Sequence, residues 1–387
     1  MSEVKIIYSE PVDYFPKETR EEFFPEMEVD FEKYNEIART ILRNMINKSD
    51  EDNIVLSPYS IYALLTLLSD STTGETRNEI LDFLKDDELD GRETFSVADR
   101  NLRQSKGFIS ANAVIVKNEY KDEIRQEYLN TVKNKFNADF LSSNDIVRDV
   151  NKWVKDKTKG MVPEIADESM NEMIVGLINV VSFIAKWKEN YDLYSIYDEF
   201  FTSVDNAKSE VTMMHSSEDY YMEDESFTGF IKDYKNDEFS FVGLLPKKTG
   251  KKSMKESIES LDVSSLYRNA FKAEVEVTLP AFKIRYGDDL SEIFKTNGIK
   301  SAFENIANCS PMSSTVPLKI EKIVHKAYIE VDRNGTKASA ATCGLCAAAG
   351  VPDFDRIKIV NLNRPFVYAI MHNKTQLPVF LGIVNKL

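Results

Sequence analysis

The stretch from residue 325 to residue 352, HKAYIEVDRNGTKASAATCGLCAAAGVP, is the most informative part of the sequence. Its first third alternates apolar and polar side chains, with Ala327, Ile329 and Val331 on one face, which is typical of a half-buried strand. Most of the side chains that follow are small, and alanine is the most frequent residue among them. A flexible linker favours glycine and serine instead. This run could not anchor a core, but it would fit between the strands of a sheet.

Outside this stretch, the composition is that of an ordinary globular protein. The chain has 387 residues, of which 42% are hydrophobic, and it carries a formal net charge of −15. This acidity argues against nucleic acid or an anionic membrane as a partner. The longest apolar run, residues 174–187, is interrupted by polar residues. It falls short of the ~20 residues that a membrane helix needs.

The amino-terminal segment differs from the rest of the chain. Residues 1–29 are acidic, contain three prolines and show no hydrophobic period, which predicts an extension outside the core. Residues 30–387 show neither an internal repeat nor an interdomain linker, and we expect them to form one large mixed domain. The first 24 residues lack the apolar core of a secretory signal. Either the protein stays inside the cell or its signal is not part of this sequence.

Periodicity predicts helices early in the chain and mainly strands later. Apolar residues from 34 to 46 repeat with helical spacing. Ser57 and Pro58 open a second helix, with serine as the N-cap and proline at the first helical position. Further helices are predicted after Gly74 and over 120–136 and 151–158, and strands over 108–116, 174–187, 239–245, 275–284, 319–332, 366–372 and 379–384.

The sequence contains the residue types of a catalytic triad but no motif that supports one. Ser57 or Ser60 could combine with His325, but no G-x-S-x-G nucleophile elbow surrounds any serine. Ser57 already has a capping role, so a structural polar cluster is the favoured interpretation. No phosphate-binding loop or HExxH motif is present. We therefore predict no enzymatic activity, no metal and no cofactor.

A C-x-x-C motif formed by Cys343 and Cys346 lies in the small-residue run. Such a motif can be a redox pair or half of a zinc site. A zinc site needs further ligands, and only Cys309 and three scattered histidines remain. A redox motif of this kind is expected to open a helix after a strand. We interpret both cysteines as incidental, with a thiol-dependent activity as the alternative.

Several motifs occur in the same order as in the serpins, a family of serine protease inhibitors that act by conformational trapping. The resemblance covers residues from about 31 to 387 and is distributed along the chain rather than confined to one motif. It rests on NIVLSPYSI at 53–61, GETRNEIL at 74–81, VNKWVKDKTKG at 150–160, LINVVSFIAKW at 177–187, VTLPAFKI at 277–284, HKAYIEVDRNGTKASAAT at 325–342, NRPFVYAI at 363–370 and PVFLGIVN at 378–385.

The resemblance implies an α+β fold of three β-sheets and about nine helices, with an exposed reactive-centre loop at about 333–358. A target serine protease would attack this loop and form a covalent acyl-enzyme complex. The cut loop would then insert as a new strand in the central sheet and distort the protease, so that the chain acts as a suicide substrate. The resemblance also implies a monomer that acts outside the cell. A cytoplasmic location is the alternative, because no signal peptide is present.

The loop can be matched to the family residue by residue. Gly335 and Thr336 match the hinge, and Ala338, Ala340 and Thr342 continue it with small residues. On insertion the side chains of Thr336, Ala338, Ala340 and Thr342 would all face the core, because successive side chains point to opposite faces of a strand. Small uncharged side chains at these positions favour an inhibitor. The alternative is a non-inhibitory serpin-like binding protein.

Family spacing from Gly335 places the scissile bond between Ala349 and Gly350. The alanines before this bond would suit the small binding pocket of an elastase-like or subtilisin-like protease. The segment after it is longer than is usual in the family, which leaves cleavage beside Cys346 open, whereas Arg356 lies too far along the chain for a normal loop. Inhibition of a papain-like cysteine protease is a further alternative.

The resemblance also assigns a polar cluster beneath the part of the sheet that opens, and it places Trp187 at the top of the sheet, where insertion begins. One hinge-stabilising pair of the family is absent. Arg333 stands where an acidic residue is common, and Ala281 stands where a lysine is common. The residues matched to the polar cluster are Ser57, Ser60, Asn179 and His325.

Overall fold

The structure, a computed structural model, describes residues 5–6, 32–49, 52–85, 99, 101–102, 104–162, 164–235, 237–336 and 357–387. Within these ranges it has eight α-helices, and residues 99, 101, 102 and 104 are helical as well, in agreement with about nine helices. The helices are α1 (Glu32–Lys48), α2 (Pro58–Ser71), α3 (Gly74–Leu84), α4 (Gln126–Phe136), α5 (Ile146–Lys157), α6 (Lys251–Glu259), α7 (Val263–Arg268) and α8 (Ser291–Thr296).

Strands make up most of the later part of the described chain. They are β1 (Lys5–Ile6), β2 (Ile54–Leu56), β3 (Phe108–Lys117), β4 (Asp139–Ser143), β5 (Val175–Phe183), β6 (Ala185–Lys186), β7 (Ile196–Thr202), β8 (Lys208–Glu223), β9 (Phe227–Asp233), β10 (Phe239–Pro246), β11 (Phe271–Pro280), β12 (Phe282–Asp289), β13 (Lys322–Asp332), β14 (Gly335–Thr336), β15 (Lys358–Asn361), β16 (Phe366–His372) and β17 (Leu377–Val384). The fold is therefore of the mixed α+β class.

The described strands form an eight-stranded and a nine-stranded sheet. In the eight-stranded central sheet the order is β1–β4–β3–β5–β13–β14–β6, and β12 also pairs with β13. In the other sheet the order is β15–β11–β8–β9–β10–β16–β17–β2, and β7 also pairs with β8. The resemblance implies three sheets. Two of them are joined here because the 16-residue strand β8 pairs with β7 and β11 along most of its length and with β9 at its end.

Strand β5 lies at the centre of the central sheet. All nine of its residues are buried, since it pairs with β3 on one side and with β13 on the other. One face, with Leu177 and Phe183, packs on the main core. The opposite face, with Ile178 and Val180, packs against Trp153 of α5. Coverage on both faces explains why the sequence shows an apolar run here rather than an alternation.

The strand predicted over residues 275–284 is in fact two strands in different sheets. β11 ends at Pro280 in the nine-stranded sheet, and β12 begins at Phe282 in the central sheet. Proline has no N–H group to donate to a ladder. The N–H of Ala281 donates instead to the carbonyl of Thr212 on β8, at 2.8 Å. The prediction of a single strand here was wrong, because the chain crosses between sheets without a polar loop.

Several other elements have boundaries that differ from the prediction, and two of these differences have a visible cause. The run predicted as one strand over 174–187 breaks at Ile184, whose N–H donates to the carbonyl of Gly107 at 2.8 Å, so β6 is a separate short strand. Helix α5 begins at Ile146 rather than at residue 151. Its N-cap is Asp145, whose side chain accepts a hydrogen bond from the N–H of Arg148 at 3.2 Å.

In the described residues, the amino-terminal extension contacts the edge of the central sheet. Lys5 lies opposite Ser142, and Ile6 lies opposite Leu141, in an antiparallel pair of β1 with β4. Residues 7–31 lie outside the described ranges. The interpretation of residues 1–29 as an extension outside a single domain of 30–387 stays a prediction.

We predict that Phe183→Ala destabilises the protein by about 3–5 kcal/mol, the usual cost of removing a buried phenylalanine ring. The Phe183 ring centroid lies 5.0 Å from those of Tyr234 and Phe239 and 6.4 Å from that of Phe380. Equilibrium urea unfolding would measure the loss. Phe200→Ala is the matched control, because that ring is 62% exposed. Equal losses in the two variants would contradict this view of the core.

Candidate functional site

Gly335 and Thr336, the residues that the resemblance matches to the hinge, form β14, a short strand between β13 and β6. Gly335 pairs with Lys186 and Asp332, and both ladders are antiparallel. Gly335 has a φ of 143°, and a Cβ atom added to it would lie 2.1 Å from the carbonyl oxygen of Ala185. Only glycine fits this position, because it accepts positive φ and leaves room for the neighbouring backbone.

The side chain of Thr336 is fully buried and faces the core. Its Oγ1 lies 2.7 Å from the hydroxyl oxygen of Tyr234, within hydrogen-bond distance. The Tyr234 ring stacks on Trp187 with centroids 4.6 Å apart and an interplanar angle of 10°. Burial raises the pKa of Tyr234 well above its ordinary value, so the hydroxyl stays protonated. The two aromatic rings therefore lie beside the first buried side chain of the hinge.

Trp187 also holds the turn that leads into the hinge. Its Nε1–H donates to the carbonyl of Asp332 at 2.8 Å, and its backbone N–H donates to the carbonyl of Asn334 at 3.1 Å. The backbone N–H of Tyr191 donates to the carbonyl of Arg333 at 3.3 Å. Three consecutive carbonyls of the turn are thus bonded from the same short segment.

A buried ion pair lies beside these aromatic rings. Lys232 Nζ lies 2.6 Å from Glu218 Oε1, and the Lys232 side chain is only 4% exposed. The ammonium group is 4.5 Å from the ring centroid of Tyr191 and 5.7 Å from that of Trp187, which are cation–π distances. Burial raises the pKa of Glu218, although Lys232 acts in the opposite direction. The pair thus helps to fix the position of Trp187.

The second group of site residues is a polar row across three strands of the central sheet: Asn112 on β3, Asn179 on β5 and His325 on β13. The three residues lie opposite one another in the strand register. Asn179 Nδ2 donates to Asn112 Oδ1 at 2.8 Å, and Asn179 Oδ1 lies 3.3 Å from His325 Nδ1. The backbone N–H of Ser57 donates to His325 Nε2 at 3.2 Å. This bond assigns the imidazole proton to Nδ1, which can then donate to Asn179.

The same geometry does not suit a catalytic triad. The Ser57 hydroxyl oxygen accepts from the N–H of Ser60 at 3.3 Å, as a helix N-cap. Its backbone N–H, not its hydroxyl, meets His325, and all three side chains are completely buried. A substrate could not reach the hydroxyl without opening the sheet. These residues therefore act together as a buried structural cluster.

Burial lowers the pKa of His325 to about 4. The imidazole is therefore neutral near neutral pH, as its role as an acceptor from the Ser57 N–H requires. Protonation of Nε2 would place its N–H against the N–H of Ser57, so two donors would face each other. The arrangement of the row is thus compatible only with a neutral imidazole.

The structure brings most of the matched residues together, but not all of them. Ser57, Asn179 and His325 are in contact, and Ser60 joins them through Ser57. Trp187 contacts the hinge instead. The residues proposed for the rest of the hinge, the scissile bond and the C-x-x-C motif lie outside the described ranges: Ala338, Ala340, Thr342, Cys343, Cys346, Ala349 and Gly350.

Four residues of the site were not singled out from the sequence. Asn112 could have been found, because an amide in the middle of an apolar strand needs a buried partner. Tyr234, Lys232 and Glu218 gave no such signal, since polar and charged residues are frequent in their strands. Their roles depend on contacts between distant parts of the chain.

The described part of the chain contains neither a candidate metal site nor a candidate membrane-spanning helix. No group of three or more histidine, cysteine, aspartate or glutamate residues there could hold a metal ion. No helix there is long and apolar enough to cross a membrane.

Comparison with known proteins identifies the family. The family model "Serpin (serine protease inhibitor)" matches residues 32–387. A serine protease inhibitor from Cyanea capillata is 28% identical, over 90% of this chain and 96% of that protein. Leukocyte elastase inhibitor A from Rattus norvegicus is 29% identical, also over 90% of this chain and 96% of that protein.

The fold is also similar to that of a solved serpin. The crystal structure of the thermophilic serpin tengpin in the native state matches with a TM-score of 0.84 and 31% sequence identity, and the match covers 94% of this chain and 96% of that chain. The chain therefore belongs to the serpin family, whose members are mostly protease inhibitors rather than catalysts.

Proposed function

We propose that the chain is a suicide-substrate inhibitor of serine endopeptidases and is not an enzyme itself. The observation that carries the proposal is the position of the hinge. Gly335 and Thr336 already occupy the first two positions of a new strand, and the Thr336 side chain already faces the core. Insertion of the cut loop would extend this strand between β5 and β13.

The register of β14 predicts where the inserted residues would lie. Thr336 is opposite Val331, so each step of two residues along the loop moves two residues back along β13. Ala338 would then face Ile329, Ala340 would face Ala327, and Thr342 would face His325. The described neighbours of these positions are tightly packed and buried. Only small side chains would fit, and the sequence supplies them.

Insertion would exchange one set of hydrogen bonds for two. β5 and β13 now pair directly over seven residue pairs, from Lys322–Gly176 to Tyr328–Ser182. A strand between them would form a ladder with each, a net gain of several backbone bonds at about 0.5–1.5 kcal/mol apiece. The contact between Asn179 and His325 would break, and the hydroxyl of Thr342 would arrive between them as a new partner.

We further propose Ala349–Gly350 as the scissile bond. The protease serine would attack the Ala349 carbonyl, forming an ester and releasing the amine of Gly350. Alanines at 347–349 suit a small binding pocket, as in an elastase-like or subtilisin-like enzyme. Similarity to leukocyte elastase inhibitor A supports this class of target. Action outside the cell stays a prediction from the family resemblance.

The proposal predicts a covalent complex with an elastase or a subtilisin. After incubation, denaturing electrophoresis should show a band at the mass of the protease plus residues 1–349, because the released fragment is not bonded to the acyl-enzyme. Mass spectrometry of the released carboxyl-terminal fragment should find Gly350 at its start. A cleaved chain without any complex would refute inhibition. A complex with a fragment that starts elsewhere would refute only the position of the bond.

Thr336→Arg should convert the inhibitor into a substrate. An unpaired guanidinium in the Thr336 site would cost several kcal/mol, so we expect position 336 to leave β14 in the uncut variant. Insertion would then have to bury the charge, and each ~1.4 kcal/mol of that cost slows insertion about tenfold, so hydrolysis of the acyl-enzyme should win. The readout is the ratio of cleaved chain to complex, which should rise at least about tenfold. Thr336→Ser is the control, because it keeps the hydroxyl beside Tyr234. Unchanged partitioning in Thr336→Arg would show that Thr336 is not part of the inserting hinge.

Acid should destabilise the closed sheet through His325. Its pKa is about 4 in the folded chain and ~6.5 in an unfolded one, so the unfolded state binds the proton first as the pH falls. Stability is then full above pH ~6.5 and falls by about 3 kcal/mol towards pH 4, since each pKa unit is ~1.4 kcal/mol. Unfolding by urea at several pH values would measure this slope.

The test variant is His325→Gln. His372→Gln is its matched control, because burial also lowers the pKa of His372 to about 4. His325→Gln should be less stable at pH 7 but should lose less stability between pH 6.5 and 4 than the parent chain. His372→Gln should keep the His325 component. If His325→Gln retained the full slope, the buried neutral imidazole would not be the cause.

A further inference from the structure

A pocket of about 270 Å³ lies on the side of the nine-stranded sheet where three segments meet. They are the turn between β7 and β8, the connection from β10 to α6, and the connection from β15 to β16. We call it the Arg364 pocket. Its polar lining includes Ser203, Asn206, Lys248, Thr249 and Arg364. None of these residues belongs to the hinge or to the polar row.

The guanidinium of Arg364 is the main feature of this pocket. It is partly buried, and its Nη2 donates to the carbonyl of Pro246 at 2.6 Å. Within the described residues no carboxylate pairs with it, and burial lowers its pKa from the ordinary value. Burying a charge without a counter-charge is unfavourable. The donors of the guanidinium that do not bond to Pro246 remain available to a ligand.

The charge on the rest of the lining is also positive. Lys248 supplies a second positive charge at the exposed rim, and among the described residues no aspartate or glutamate lines the pocket. The neighbouring acidic residue Asp205 turns its carboxylate to the N–H of Ala207, at 3.0 Å. Ser203 and Thr249 add hydroxyl groups. A pocket with positive charges alone stands out in a chain with a net charge of −15.

We propose that the Arg364 pocket binds a small oxyanion such as phosphate or sulfate. A guanidinium matches the geometry of such oxygens with paired donors, and a lysine adds a point charge. The volume of about 270 Å³ leaves room for such an ion together with several water molecules. The oxyanion would link the turn after β7, the start of α6 and the segment that follows the reactive loop. This site does not depend on the proposed inhibitory function.

Binding should appear as ligand-dependent stabilisation of the native chain. Inorganic phosphate, and sulfate in a second arm, would be titrated into the full chain at constant ionic strength, with chloride as the balancing ion. We expect the midpoint of thermal unfolding to rise by about 2 °C at ten times the Kd. Calorimetric titration would give the Kd itself. A response to phosphate alone or to both oxyanions supports the site, whereas a response equal to that of chloride overturns it.

Variants separate a specific site from general charge effects. Arg364→Gln should weaken phosphate binding at least about tenfold, since hydrogen bonds to a charged group are lost. Arg285→Gln is the control: it removes the same charge from an exposed position outside the pocket and should leave the Kd unchanged. Equal weakening in both variants would mean screening by an adventitious ion only, and unchanged binding in Arg364→Gln would refute the assignment.

Lys248→Gln keeps the test decisive if Arg364→Gln fails to fold. Lys248 is exposed, so its loss should not affect folding, and it should weaken phosphate binding severalfold. Protease inhibition should be unaffected by Lys248→Gln. An unchanged Kd in this variant, with Arg364→Gln unfolded, would overturn the proposal.

Discussion

The closed central sheet depends on the hydrogen bonds that join Asn112, Asn179 and His325 beneath the start of α2. A buried polar network stabilises a fold only while its members remain satisfied. Separating β5 from β13 removes one partner from both Asn179 and His325. The row therefore opposes opening of the sheet until another hydrogen-bonding group enters. In the proposed inserted state that group is the hydroxyl of Thr342, which connects the polar row to the composition of the loop.

Many members of the family stabilise the hinge with an acidic residue and a lysine, which Arg333 and Ala281 replace here. In this chain a different set of contacts holds the hinge. Arg333 contributes its backbone carbonyl to this region, while the buried ion pair is formed by Lys232 and Glu218 beside Trp187. The indole bonds to the turn before the hinge. The loss of one ion pair in the sequence therefore does not leave the hinge without support. It is held by backbone hydrogen bonds and ring stacking.

The sequence predicted those parts of the fold in which local pattern and burial agree. The start of α2 followed from Ser57 and Pro58, and β5 followed from its apolar run. β7 and β8 were not predicted individually, because their many polar and exposed residues do not show a clear alternation. The site was predictable where a buried polar residue stood out, as with Asn179. Lys232 and Glu218 were missed, because their proximity arises only when β8 and β9 pair.

The pairing of β2 with β17 has a consequence for biosynthesis. Leu56 lies opposite Leu381 and Ile54 opposite Ile383, so strands that are far apart in the sequence form one edge of the nine-stranded sheet. Contacts between such distant residues form slowly, because the intervening chain must be ordered first. A ribosome must release β17, which follows β2 by more than 300 residues, before this edge can close. Until then α2 and the adjacent strands are exposed to aggregation, and a nascent chain that stalls before β17 cannot complete its native sheet.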